Sequence, residues 1–166
     1  IQHLFEHPNT APFVAHRLIQ RMIKSNPTPR YVDVVATAFR TGSYGGKMYS
    51  GKYGDMKATT MAILLDREAR AWVLDHDPKS GKIREPLLKV LHVLRSLEYK
   101  SHRGRDVFLR NLHEKIGQSA FNSPTVFSYF LPEYQPPGIL LEKDLVAPEA
   151  QINTSPKYCI IFKWYE

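Results

Sequence analysis

Cysteine is almost absent from this sequence, because Cys159 is the only one among 166 residues. An internal disulfide and a zinc cluster built from cysteines are therefore excluded. Long hydrophobic runs are also missing. The longest, AILL and CIIF, fall far short of the roughly 20 apolar residues that cross a bilayer. We therefore expect no transmembrane segment in the chain.

Recognisable catalytic motifs are absent as well. No serine lies in a GxSxG elbow, and GSYGGK does not have the spacing of a phosphate-binding loop. Cys159 lies in an apolar run, which argues against a reactive thiolate. His3 and His7 are four residues apart, but no carboxylate completes an HExxH pattern. The sequence therefore predicts no bound metal and no cofactor.

Acidic residues are the minority among the charged ones. Lys and Arg number 23 against 16 Asp and Glu, which gives a net charge of +7. Such a balance suits an anionic partner, for example nucleic acid, acidic polysaccharide or lipid headgroups. The basic residues are scattered, and no recognition helix, zinc finger or aromatic platform accompanies them. Nucleic acid therefore ranks last among the partners, and acidic polysaccharide stays open.

Helical periodicity is the main structural signal that is present. NTAPFVAHRLIQRMIK predicts an amphipathic helix with an apolar face of Phe13, Val14, Leu18 and Met22. A second helix is predicted after Thr28 and Pro29, with Gly42 as its end and with Tyr31, Val35 and Phe39 inside. Asp55 is predicted to cap a third helix through Met56, Thr60, Ile63 and Leu64. A further helix is predicted to be the best core helix, because one face carries an apolar stripe of Leu87, Val90, Leu91, Leu94 and Leu97.

Proline and glycine mark the remaining segments. In SPTVFSYFLPEYQPPG, Pro124 predicts the start of a two-turn helix that Pro132 ends, with Val126, Phe127 and Phe130 along one side. Residues 41–54 are interpreted as an exposed loop, and residues 152–166 as an extended aromatic tail. The fold class is therefore mostly α: an irregular multi-helix bundle with proline-started helices, a glycine- and tyrosine-rich loop and that tail, within one helical domain over residues 1–166.

Four stretches, taken in order, carry a family resemblance: LFEHPNTAPFVAHRLIQRMIKSNPTPRYV, GDMKATTMAILLDREAR, KIREPLLKVLHVLRSL, and SPTVFSYFLPEYQPPG followed by LVAPEAQI. Together they resemble the family named domain of unknown function 1800, over nearly the whole chain. The resemblance implies a mostly helical fold, no established activity and, since many members carry export signals, an extracellular or cell-surface setting. The chain also starts without Met inside an amphipathic pattern, so we expect the carboxy-terminal part of a longer precursor.

Candidate functional residues fall into two groups. Glu85 and Glu133 each lie beside a proline, and with His92 they are weak catalytic candidates. A structural role is the simpler interpretation for Glu85, since a carboxylate near a helix start is stabilised by the helix dipole. The second group consists of aromatic side chains that could form an interface with other protein chains: Tyr44, Tyr49, Tyr53, Tyr134, Tyr158, Trp164 and Tyr165.

Two functions remain as hypotheses, and whether the chain is an enzyme stays open. The first is an exported structural or interaction module in a larger extracellular or cell-surface assembly. The alternative is an envelope or carbohydrate-active hydrolase that uses acidic residues, with part of its site in a missing amino-terminal region. A hydrolase would gather acidic side chains with raised pKa values in a cleft. An assembly module would instead present contact surfaces.

Overall fold

The computed structural model of the protein describes residues 1–71, 77, 79–101, 104 and 111–153. The chain divides into two compact units, which we name unit 1 (Ile1–Lys82) and unit 2 (Ile83–Glu166). Helices are the main regular structure in the described residues of both units, so the predicted mostly-α, multi-helix fold is confirmed. The single domain over residues 1–166 stays a prediction.

The first half of unit 1 consists of three helices, α1 (Gln2–Phe5), α2 (Thr10–Met22) and α3 (Pro29–Thr41). The capping signals of α3 act as predicted. The Thr28 hydroxyl accepts a hydrogen bond from the backbone N–H of Tyr31 at 3.3 Å. Gly42 ends the helix with φ of 62°, a left-handed conformation that glycine adopts without steric cost.

A hairpin and two further helices complete unit 1. Strands β1 (Ser43–Tyr44) and β2 (Lys47–Met48) pair antiparallel. Both glycines of the turn between them, at 45 and 46, have positive φ, as a two-residue hairpin turn requires. Helix α4 (Met56–Leu65) is capped by the Asp55 carboxylate, and the short α5 (Arg67–Arg70) follows directly. The segment predicted as a loop thus contains a small, ordered hairpin.

The core of unit 1 lies between α2, α3 and α4. Its buried members are Ala11, Ala15, Ile19, Tyr31, Val35, Ala36, Ala38, Phe39, Ala58, Ala62 and Ile63. The predicted face of α2 was therefore wrong in part: Phe13 is 53% exposed and Met22 is 43% exposed. Ala11 and Ala15 lie on the buried face of α2. Because their side chains are small, α2 can pack close to α3. The predicted face of α3 is confirmed.

Unit 2 contains helices α6 (Pro86–Ser96), α7 (Leu112–Ile116) and α8 (Ile139–Glu142), followed by a 3₁₀ turn at Pro148–Gln151. Its buried apolar residues are Leu112, Ile116, Phe130, Leu145, Ala147 and Ile152. The expectation that α6 is the best core helix was wrong. Only Pro86 of this helix is buried, its leucine and valine stripe is half-buried, and Leu97, beyond the helix end, is 61% exposed.

The two-turn helix predicted after Pro124 was also wrong, because the chain makes a tight turn over Thr125–Ser128 instead. The Thr125 hydroxyl accepts from the Phe127 N–H at 3.1 Å and donates to the Ser128 carbonyl at 3.0 Å. Such local side-chain bonds compete with a helix. Ser128 has φ of 81°, which no right-handed helix allows.

Candidate functional site

Four charged side chains and one hydroxyl group meet in a polar network in unit 1. We define the network as Lys24, Thr28, Arg30, Asp66 and Glu68. Lys24 follows α2, Thr28 and Arg30 lie at the start of α3, and the two carboxylates flank the start of α5. The network therefore joins the connection between α2 and α3 to the start of α5, with Arg30 and Asp66 36 positions apart in the sequence.

Asp66 is the best-defined member of this polar network. It is buried, and its carboxylate accepts two hydrogen bonds from the Arg30 guanidinium, at 2.6 and 3.0 Å. It also caps α5 by accepting from the Glu68 N–H at 2.8 Å. Burial alone would raise the pKa of Asp66, but the hydrogen bonds from Arg30 and Glu68 and the Arg30 charge outweigh it and lower that pKa.

Glu68 holds the other half of the polar network. Its carboxylate accepts from the Thr28 hydroxyl and from the Thr28 N–H at 3.0 Å, and it lies 3.1 Å from the Lys24 ammonium. Burial acts to raise the pKa of Glu68, but the Thr28 bonds and then Lys24 lower it below its usual value. Lys24 is only 2% exposed, so this ion pair is largely shielded from water.

Tyr31 borders the polar network and is fully buried. Its hydroxyl donates a hydrogen bond to the Ile63 carbonyl at 2.5 Å. Burial, and then the nearby Asp66 and Glu68 charges, raise the pKa of Tyr31 far above its usual value, so the phenol stays protonated. The two carboxylates, with lowered pKa values, and the Arg30 guanidinium, with a raised pKa, are charged at neutral pH. The arrangement is therefore suited to tying helix ends together rather than to transferring protons.

The three catalytic candidates from the sequence lie in unit 2. Glu85 precedes α6, is half-buried, and accepts a hydrogen bond from the Gln118 side chain at 2.5 Å. His92 is exposed on α6, and Glu133 is exposed in a turn. A depression of about 370 Å³ lies at the end of α6, but none of the three lines it. Its lining residues are Leu91, Leu94, Arg95, Glu98, Tyr99 and Lys100.

The aromatic residues predicted to form an interface differ in their burial and in their neighbours. Tyr44, Tyr49 and Tyr53 are half-buried and pack against the unit 1 core. The Tyr53 ring forms edge contacts with Phe5 and Phe39, each with ring centres 5.1 Å apart. Tyr134 in unit 2 is half-buried. Tyr158, Trp164 and Tyr165 lie outside the described residues, so their role stays a prediction.

A turn in unit 2 presents apolar side chains to solvent. We call Thr125–Ser128 the exposed turn: Val126 at its tip is 94% exposed and Phe127 is 43% exposed. Its base is held by Tyr129, whose hydroxyl accepts from the Ser119 N–H at 3.1 Å and contacts the Ser119 and Asn122 carbonyls. The apolar tip is thus fixed by polar contacts below it. The sequence prediction placed Val126 inside a helix and missed this surface.

In the described part of the chain, no group of three or more His, Cys, Asp or Glu side chains is arranged to hold a metal ion. Among the helices described, none combines the length and the apolar composition needed to cross a membrane.

Comparison with known protein families gives one match. The model of the family described as "Protein of unknown function (DUF1800)" matches residues 1–163 of the chain. Comparison with curated proteins and with solved structures gives no match. The family match covers both units and agrees with the stretches that carry the resemblance in the sequence.

Proposed function

The chain belongs to the DUF1800 family, and we propose that it is an exported structural or interaction module of a larger extracellular or cell-surface assembly. Its function in this proposal is to hold protein partners through shape and packing. The exported setting in this proposal is the one that the family resemblance implies. The partners would be other protein chains of the assembly.

The exposed turn is the observation that carries this proposal. Covering the nearly fully exposed Val126 gives roughly 1.5 kcal/mol, and covering Phe127, which is 43% exposed, gives only part of the full value for its type, so a partner would gain from both. The turn also loses little freedom on binding, because Thr125 bonds fix its backbone and Tyr129 fixes its base. Preorganisation of this kind lowers the entropic cost of binding at the apolar tip.

The surroundings of the exposed turn support the same function. The Leu131 N–H donates to the Gln151 side chain at 2.7 Å, and the Ala147 N–H donates to the Tyr134 carbonyl at 2.9 Å. These bonds connect the segment after the turn to the 3₁₀ turn at Pro148–Gln151. The turn therefore projects from a part of unit 2 that hydrogen bonds hold in place, so a partner bound to the turn is also held to the rest of that unit.

Sedimentation of a native extract tests the proposal. The extract, including the extracellular matrix of the source cells, is separated on a gradient, and peptides of this chain are located by mass spectrometry. We expect them in a large particle or filament. If they run only as a small soluble species, the proposal fails, and the hydrolase alternative becomes the function to test with a substrate screen.

Two variants at one position connect that result to the exposed turn. Val126→Asp places a charge at the tip, whereas Val126→Ile keeps it apolar, and both should fold because the side chain is in solvent. Expressed with a tag in the source cells, Val126→Asp should shift to the small fractions while Val126→Ile stays in the particle. Equal sedimentation of both variants would exclude the turn as the contact surface.

A further inference from the structure

The hairpin segment of unit 1 carries a local excess of positive charge. Residues 40–57 contain one acidic residue, Asp55, and four basic residues: Arg40, Lys47, Lys52 and Lys57. All three lysines are exposed. An excess of this kind on a short stretch of surface attracts anions over about a Debye length, roughly 8 Å at physiological salt.

Tyr49 brings two of these ammonium groups together. The Lys47 ammonium lies 5.6 Å from the centre of the Tyr49 ring, and the Lys57 ammonium lies 5.8 Å from it. Both distances are within the range of cation–π attraction. Lys47 belongs to β2 and Lys57 to α4, so the backbone of both lysines is held in regular structure. The two cations are therefore concentrated beside one aromatic ring.

The hairpin is fixed to the end of α3, which keeps this arrangement in place. The N–H groups of Tyr49 and Gly51 both donate to the Gly42 carbonyl, at 2.9 and 3.4 Å. The hairpin backbone passes so close to Gly42 that a Cβ on this residue would lie 2.6 Å from the backbone nitrogen of Lys52. The lysine pair is thus attached to the core through α3 and not carried on a free loop.

Asp55 does not cancel the positive charge at the ring. Its carboxylate accepts hydrogen bonds from the N–H groups of Ser50, Lys57 and Ala58, at 2.7, 2.8 and 2.9 Å. A hydrogen bond from the Ser50 side chain, followed by these N–H groups, lowers the pKa of Asp55 to about 2. The carboxylate is directed toward the start of α4, where the helix dipole and free N–H groups balance its charge.

We propose that this surface, Tyr49 with Lys47 and Lys57, binds an acidic polysaccharide. The inference rests on the extracellular or cell-surface setting of the proposed function. Uronate and sulfated sugars offer repeated anionic groups that the two ammonium ions can bind with charge-assisted hydrogen bonds. Nucleic acid fits less well, because single strands require several stacking rings and duplexes many phosphate contacts. One half-buried ring with a few lysines supplies neither.

A binding measurement with charged and uncharged polymers tests this inference. The full chain is titrated with polygalacturonate and with dextran sulfate, at low and at physiological salt, and uncharged dextran serves as the reference. Lys47→Gln/Lys57→Gln is compared with Lys79→Gln/Lys143→Gln, which removes the same charge from two exposed lysines elsewhere. Thermal unfolding of each variant checks that it is folded.

The wild-type chain should bind at least one charged polymer and not dextran, with affinity that falls as salt rises. Lys47→Gln/Lys57→Gln should weaken binding roughly five- to tenfold, as expected for two exposed ion pairs, and the matched variant should leave it unchanged. Equal losses in the two variants, or no preference for charged polymers over dextran, would overturn the inference. Tighter binding of a size-matched DNA duplex would overturn it in favour of nucleic acid.

The outcome is separable from that of the proposed function. If the chain sediments as a small species yet binds the polysaccharide through these lysines, the assembly proposal fails and the binding inference stands. If the chain sediments in a large particle and its purified form binds none of the polymers, the reverse holds. Val126→Asp, in unit 2, should leave polysaccharide binding unchanged in either case.

Discussion

Replacing Asp66 by asparagine isolates the charge at the centre of the polar network. Asparagine has nearly the same shape as aspartate, and its amide oxygen can still accept from the Glu68 N–H as a helix cap. What is lost is the pair of charge-assisted bonds from Arg30, at 2.6 and 3.0 Å. Asp66→Asn therefore measures the ion pair with little contribution from the cap.

The expected cost follows from the exposure of the two partners. A hydrogen bond to a charged group contributes about 1.5–3 kcal/mol when its partner is buried. Asp66 is buried, but the Arg30 side chain is 36% exposed and can regain water when the carboxylate is removed. We therefore expect Asp66→Asn to lower the free energy of unfolding by about 1–2 kcal/mol at neutral pH.

The cost should depend on pH in a definite direction. An unfolded aspartate has a pKa of about 3.9. In the folded chain burial raises the Asp66 pKa, but Arg30 and Glu68 lower it by more, so the net shift is downward. The stabilisation is therefore complete above the unfolded pKa and is lost as the pH falls through the folded pKa. The gap between wild type and variant should be full at neutral pH and shrink below about pH 4.

Urea unfolding at neutral and at acidic pH provides the measurement. Asp33→Asn is the control, because Asp33 is exposed on α3 and loses the same charge. The control should change the free energy of unfolding by no more than about 0.5 kcal/mol. An Asp66→Asn effect as small as that of the control, or one that is undiminished in acid, would refute the argument from the ion pair.

Two further substitutions test packing and capping in the separate units. Gly54→Ala should destabilise unit 1 by more than Gly45→Ala: both glycines have positive φ, but only at Gly54 would the new Cβ meet a ring atom, 2.7 Å from Phe5. Backbone strain of about 1 kcal/mol is common to both substitutions. If urea unfolding finds equal losses of unfolding free energy, the contact with Phe5 is contradicted. Gln118→Leu should cost about 2 kcal/mol in unit 2, since Gln118 donates to Glu85 and accepts from the Leu87 N–H at 3.1 Å. Unchanged hydrogen exchange in α6 would argue against that role.

Local signals in the sequence were sufficient for α3. Its cap, its proline and its terminal glycine act within a few residues of one another, so Thr28 and Gly42 could be identified from the sequence alone. The buried face of α2 could not, because a pattern of large apolar residues favours Phe13. The choice of Ala15 depends on how close the neighbouring helix lies, and that distance is a tertiary property.

The exposed turn and the polar network were missed for different reasons, because the bonds within the turn are local and those of the network are not. Thr125 folds back on its own backbone, and the base of the turn is held by Tyr129 from outside the turn. In the polar network, Arg30 bonds to a carboxylate 36 positions away. The only local signal was the pair of acids in DREAR after α4, which the helical pattern alone explains. Partners this distant in the sequence are set by packing and not by spacing.

The chemistry of the polar network determines whether its own carboxylates could act as proton donors. A catalytic acid must hold a proton near neutral pH, which requires a carboxylate with a raised pKa. In Asp66 and Glu68 the pKa is lowered, because each carboxylate accepts several hydrogen bonds and faces a cation. A group stabilised in its charged form resists protonation, so the features that make these residues good structural ties make them poor proton donors. The charged centre of unit 1 is therefore suited to holding helix ends together and not to donating a proton.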